Sequence, residues 1–176
     1  MRTDWIPRRE FEHLLAALMP ENRLAMEISL ATGLRIGDVL NLRTNALKAR
    51  FTVRELKTGK NKRVFLNNEL LSRAIAIAGK VYVFEGRNSS LRPRTRQAVY
   101  KDLKRIAKAF RLCLPKKANV APHSARKVYA VEQYYKTGSL EKVQQLLNHK
   151  KEAVTVLYAL ADQMVGRRRP PKQPLS

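Results

Sequence analysis

Acidic residues are scarce in this chain: 14 Asp and Glu stand against 36 Lys and Arg, a formal net charge of +22 over 176 residues. Such an imbalance strains a compact fold by self-repulsion unless a polyanion shares the surface, so nucleic acid is the first partner to consider and an anionic membrane the second. Long apolar runs are missing as well. No stretch approaches the roughly 20 residues that a spanning helix needs. The opening MRTDWIPRREFEHLL carries acids early and has no apolar h-region, so no signal peptide is expected. Cysteine occurs once, as Cys113 in AFRLCLP, which excludes an internal disulfide and a cysteine zinc site. Internal repeats are absent. With 44% apolar residues the chain can still build the core of one globular domain. These limits point to a cytoplasmic protein that faces nucleic acid and not a membrane.

The apolar periodicity is mostly helical. Pro7 can occupy a first helical turn, followed by Phe11, Leu14, Leu15 and Leu18. A second helix is expected from about Glu21 to Thr32, with Leu24, Ile28 and Ala31 on one face and Gly33 as its C-cap. A short helix carrying Ile36, Val39, Leu40 and Leu42 then leaves Arg35 at the junction between the two. Over residues 48–67 the period changes to two: Phe51, Val53, Val64 and Leu66 alternate with polar residues around TGKN, a hairpin signal that puts Lys57 at the base of the turn. A helix over Asn68 to Ala78, an apolar run from Val81 to Phe84 and a loop at GRNSSLRPR follow. Val99, Leu103, Ile106 and Phe110 define an amphipathic helix from about Thr95 to Leu112, with Lys101, Lys104, Arg105 and Lys108 turned away. Three further helices are expected near 123–136, 139–147 and 151–160. Residues 166–176, with charge and proline but no apolar period, read as a disordered basic tail. The fold class expected is α+β and mainly helical, with a small antiparallel β-sheet.

Five short motifs carry residues suited to phosphodiester chemistry. They are ATGLRIGDVL with Arg35, ELKTGKNKRV with Lys57, HSARK with His123 and Arg126, LLNHK with His149, and VLYAL with Tyr158. In-line displacement at a phosphodiester builds negative charge on the non-bridging oxygens, and arginine binds those oxygens bidentately without ever deprotonating. HSAR spaces His123 and Arg126 three apart, on one face of a helix that starts at Ala121-Pro122. A phenol with an ordinary pKa near 10 is a poor nucleophile at neutral pH, and a cluster of cations around it favours the phenolate.

The order and context of these motifs, from Pro7 to Asp162, resemble the tyrosine recombinase (phage integrase) family. The resemblance implies a catalytic domain over residues 1–165 that cleaves and rejoins double-stranded DNA at specific sites. Tyr158 would be the nucleophile, leaving a 3′-phosphotyrosyl intermediate. Arg35 and Arg126 would hold the phosphate. Lys57 would protonate the leaving 5′ oxygen, His123 would act as general acid/base or orient the phosphate, and His149 would complete the site. Asp38, three positions after Arg35, would orient that arginine. No metal and no cofactor is implied, and self-association on DNA as a synaptic tetramer is. Nine positions separate His149 from Tyr158, the spacing typical of the family. The chain departs from the family at Asn148, where glycine is commoner, and Asn also tolerates a left-handed backbone. Most members carry an N-terminal clamp domain, whereas here the first motif arrives by Arg35, as in a catalytic domain alone or in short forms such as invertases.

Alternatives stay open at this level. Lys60 and Lys62 stand beside Lys57, and Tyr129, Tyr134 and Tyr135 are rival tyrosines. A type IB topoisomerase would share the chemistry, and a non-catalytic DNA-binding module would share the charge. Residues 43–63 hold Arg43, Lys48, Arg50, Arg54, Lys57, Lys60, Lys62 and Arg63 against Glu55 alone, and residues 87–111 hold nine Lys and Arg against Asp102 alone. Two such runs flanking the motifs read as a groove that tracks a nucleic-acid backbone.

Overall fold

The structure, a computed structural model, describes residues 3–110 and 118–148. His149, Tyr158, Cys113, the helix expected at 151–160 and the basic tail lie outside the described residues. Within them the chain forms α1 (Arg8–Ala16), α2 (Pro20–Thr32), α3 (Ile36–Leu40), a 3₁₀ turn (Thr44–Ala46), β1 (Arg50–Arg54), β2 (Asn61–Phe65), α4 (Asn68–Ile77), β3 (Glu85–Gly86), β4 (Ser89–Pro93), α5 (Arg96–Ala109), α6 (His123–Thr137) and α7 (Leu140–Leu147). The mainly helical α+β class expected from the sequence is the one found.

Helix α2 is the hub. Proline at its first position needs no hydrogen-bond partner there and fixes φ for the helix, and α1, α3, α4, α5 and α6 all pack against it. Its buried residues therefore run round the helix: Leu24, Ala25, Met26, Ile28 and Leu30, with Asn22, Ser29 and Thr32. Ala31, expected on the buried face, is exposed, because the packing partners surround the other sides. In α1 the stripe Phe11, Leu14 and Leu15 is buried as its period required, and Leu18 joins it just past the helix. Pro7 caps α1 from outside. Helix α5 seats Val99, Leu103 and Ile106 in the same core, and Thr95 caps it by accepting from the Ala98 amide. Asp102 on that helix is buried too, accepting from Asn22 Nδ2 at 2.7 Å and from the Met19 amide at 3.0 Å.

β1 and β2 form the expected antiparallel hairpin, registered Arg50↔Phe65 through Arg54↔Asn61. The segment GRNSSLRPR is not an irregular loop. β3 and β4 pair antiparallel there, with Glu85 opposite Pro93 and Gly86 opposite Ser89 across a register shift. Arg94 N continues the pairing by donating to Phe84 O at 2.8 Å. Its Ser, Asn and Gly content hid a short, bulged pairing that has no apolar alternation to reveal it. Among the described residues no helix is long and apolar enough to cross a membrane.

Two helix ends adopt the left-handed conformation on glycine, Gly33 after α2 (φ +66°) and Gly138 after α6 (φ +63°). They differ in surroundings. A Cβ at Gly33 would lie 2.4 Å from Tyr129 Cδ1 on α6, whereas a Cβ at Gly138 would meet nothing within 4 Å. Gly33 is thus the point where α2 and α6 close on each other. Gly138→Ala is expected to cost only the strain of a left-handed alanine, about 1–2 kcal/mol. Gly33→Ala should add an overpacking cost of about 1–3 kcal/mol. Urea unfolding at constant slope measures both, and equal losses would contradict the Tyr129 contact.

Candidate functional site

The sharp turn at Gly33 delivers Arg35 to the mouth of an open cleft of about 830 Å³. Arg35 is the residue preceding α3, with an extended backbone (φ −68°, ψ 144°), so its side chain leaves the helix end rather than its flank. The hairpin brings Lys57 to the same cleft from the turn between β1 and β2, and the start of α6 brings His123 and Arg126. Four of the six residues singled out in the sequence therefore line one cavity, from three separated stretches of chain. His149 and Tyr158 lie outside the described residues.

The rivals separate spatially. Lys60 does not line the cleft, and Lys62 is buried with its Nζ 5.4 Å from the centre of the Tyr129 ring. Lys57 is exposed and does line it. No tyrosine among the described residues lines the cleft. Burial pushes the Tyr129 phenol above its ordinary pKa against the opposing field of Arg126, the wrong direction for a nucleophile. Tyr134 and Tyr135 pack edge to face with each other, 6.4 Å between ring centres.

Behind the cleft lies a buried charge cluster. Glu55 is fully buried; its Oε2 lies 3.1 Å from Arg35 Nη1 and its Oε1 3.6 Å from Arg126 Nη1. The Thr58 hydroxyl donates to Oε2 at 2.7 Å. Burial pushes the Glu55 carboxyl up, but the Thr58 hydrogen bond and the charges of Arg35 and Arg126 outweigh it and hold the group below the usual carboxylate range. Arg126 itself is 1% exposed. Its Nη1 donates to Gly33 O and its Nη2 to Leu147 O, so it fastens the first-arginine turn to the last residue of α7. Asn148, the C-cap of α7, is left-handed at φ 52°, the conformation that the replacement of glycine there required.

The two arginines are therefore unequal. The Arg35 side chain keeps 13% of its surface open and that of Arg126 only 2%. Two acids hold this part of the site. Asp38 is buried and accepts from the Leu56 amide at 2.9 Å, which anchors the Lys57 turn. The carboxylate facing Arg35 is that of Glu55, whose only signal in the sequence is its place as the single acid of a basic run. Arg94 and Arg96, from the basic run 87–111, also line the cleft. Arg94 Nε donates to Asn22 Oδ1 at 2.7 Å, which ties the end of β4 to α2. Among the described residues no group of His, Cys, Asp and Glu is arranged to hold a metal ion.

The profile of the phage integrase family matches residues 4–164. The chain belongs to the phage integrase family. A tyrosine recombinase of Thermosipho africanus (strain TCF52B) is 28% identical over 172 residues, covering 91% of this chain and 58% of that protein. The chain thus spans a little over half the length of that curated relative. Among solved structures, the catalytic domain of bacteriophage HP1 integrase superposes with a TM-score of 0.61 at 19% identity, covering 99% of this chain and all of that one. A lambda integrase dimer bound to a COC′ core site superposes with a TM-score of 0.70 at 22% identity, covering 99% of this chain and 51% of that one. At those identities the likeness establishes the fold of this integrase-family chain, that of a recombinase catalytic domain.

The buried carboxylates make acid stability a test of the cluster. Asp102, like Glu55, is held below the usual range: burial raises it, and hydrogen bonds from Asn22, Arg105 and the Met19 amide outweigh that. A depressed folded-state pKa adds stability above the unfolded value, and that stability is lost as pH falls through the folded value. Stability should hold from neutral pH to about 5 and fall steeply below about 4. Asp102→Asn should be weaker at neutral pH and shallower in acid when urea midpoints are compared across pH. An acid slope equal to that of the wild type would remove Asp102 from the account.

Proposed function

We propose that this chain is the catalytic domain of a tyrosine site-specific recombinase, cleaving and rejoining double-stranded DNA without metal or cofactor. The observation that carries the reading is the convergence of Arg35, Lys57, His123 and Arg126 on one cleft. Tyr158 Oη attacks the phosphorus of a phosphodiester as its proton passes to a general base, a role open to His123, forming the 3′-phosphotyrosyl bond and breaking the bond to the 5′ oxygen. Lys57 gives that oxygen its proton, so it leaves as a 5′-hydroxyl. After strand exchange a 5′-hydroxyl attacks the phosphotyrosyl phosphorus and Tyr158 is released. Bond energy is conserved throughout, so no ATP is consumed. Arg35, the more open arginine, meets the phosphate oxygens from the cleft side, with Arg126 behind it. His123 serves proton transfer or phosphate orientation at the start of α6, and His149 completes the site. The assignment of Tyr158 as nucleophile rests on the family resemblance, and no described tyrosine lines the cleft.

The DNA partner is supported by the surface. Arg43, Lys48, Arg50, Arg54, Lys57, Lys60 and Arg63 are all exposed, as are Arg87, Arg92, Arg96, Lys101, Arg105 and Lys108. The lambda integrase relative was solved as a dimer on its core DNA site, and the reading extends self-association on DNA, as a synaptic tetramer, to this chain.

Two measurements test this. With a library of nicked duplexes of randomised core, the wild type should form a covalent protein–DNA adduct that survives EDTA, and Tyr158→Phe should form none while binding DNA nearly as well. An adduct with the Phe variant would move the nucleophile elsewhere. Binding to a random duplex should weaken steeply with salt, because each phosphate contact adds about 0.9 to the slope of log K against log salt. A flat dependence would remove the basic groove.

A further inference from the structure

Glu55 is the one charged residue of the cluster that the proposed chemistry does not use. It is fully buried, so it cannot touch DNA, yet it stands two positions from Lys57 and faces both arginines. We propose that Glu55 is a positioning residue: its carboxylate holds Arg35 and Arg126 in fixed relation to each other and to the turn that carries Lys57. The proposal rests on the strand-transfer reading for the identity of the reaction, and on the geometry alone for the positioning.

Three observations converge on it. The carboxylate spans the pair, 3.1 Å from Arg35 Nη1 through Oε2 and 3.6 Å from Arg126 Nη1 through Oε1. Two guanidinium groups this close repel each other, and a carboxylate facing both offsets that cost. The backbone of Glu55 is in turn part of the hairpin turn. Its amide donates to Lys60 O at 2.9 Å and its carbonyl accepts from the Gly59 amide at 2.8 Å. The Thr58 hydroxyl holds Oε2 at 2.7 Å, and Asp38 holds the next amide, that of Leu56, at 2.9 Å. Glu55 therefore points inward to the arginines from the same turn that sends Lys57 outward to the cleft. A shift of the turn relative to the arginines would change the spacing between the phosphate grip and the proton donor, and a misplacement of about 1 Å can cost on the order of 10²-fold in rate.

The test compares Glu55→Gln and Glu55→Asp with the wild-type chain. Glu55→Gln keeps the shape but removes the charge. Core backbone amide signals in NMR spectra should be retained, while the arginine Nε–Hε signals of Arg35 and Arg126 shift or broaden. Affinity for a random duplex should stay within about twofold, because many exposed phosphate contacts set it. Adduct formation on the nicked library should slow on the order of 10²-fold, and Glu55→Asp, which keeps the charge, should recover part of the rate. Unchanged arginine signals, or an adduct rate within about twofold of wild type, would overturn the proposal. Should wild-type protein form no adduct, the strand-transfer reading fails, and the arginine spectra alone decide the role of Glu55. Should Glu55→Gln not fold, Thr58→Val replaces it: removal of that one hydroxyl should disturb the same two arginine signals, and their persistence unchanged would equally overturn the proposal.

Discussion

An arginine buried to 1% exposure is the constraint on which the site depends. A guanidinium taken out of water is strongly destabilising unless its charge and its donors are met. Arg126 meets both demands at once, with Glu55 for charge and with Gly33 O and Leu147 O for its donors. Each partner comes from a different part of the chain: the end of α2, the β1–β2 turn and the end of α7. Satisfying one buried side chain thus brings together the segments that carry Arg35 and Lys57 and the residue that leads into Asn148 and His149. The charge cluster thus sets where the cleft-lining side chains stand.

The rarity of acid takes on a structural meaning in the same light. Asp38, Glu55 and Asp102 are buried, and each holds a junction: Asp38 the hairpin turn, Glu55 the arginine pair, Asp102 the start of α2 against α5. These three buried acids sit beneath a strongly cationic surface. The arrangement suits a protein whose outer charge is neutralised by a polyanion, since self-repulsion is then relieved from outside.

Much of the fold was legible because its signals are local. The stripes Phe11, Leu14 and Leu15 in α1 and Val99, Leu103 and Ile106 in α5 are buried as their spacing required. Gly33 and Gly138 end their helices in the left-handed conformation, and Asn148 does the same at φ 52°. The β3–β4 pairing was not legible, since two short strands with a register shift carry no alternation. Ala31 was misplaced for a different reason: a helix surrounded by five others has no single buried face that periodicity can identify.

By itself the sequence determined the helical class, the cationic surface and the set of motifs, because residue type, spacing and net charge do not depend on what folds against what. The tertiary structure alone decided which of those residues share a space. It took Lys62 into the interior against Tyr129 and left Lys57 at the cleft. It gave Asp38 the Leu56 amide to hold and brought Glu55 to face Arg35. It also made the two arginines unequal, one open at 13% and one closed at 2%. Those choices follow from how buried charges and donors are matched to partners far apart in the chain, a condition not readable from any one segment of it.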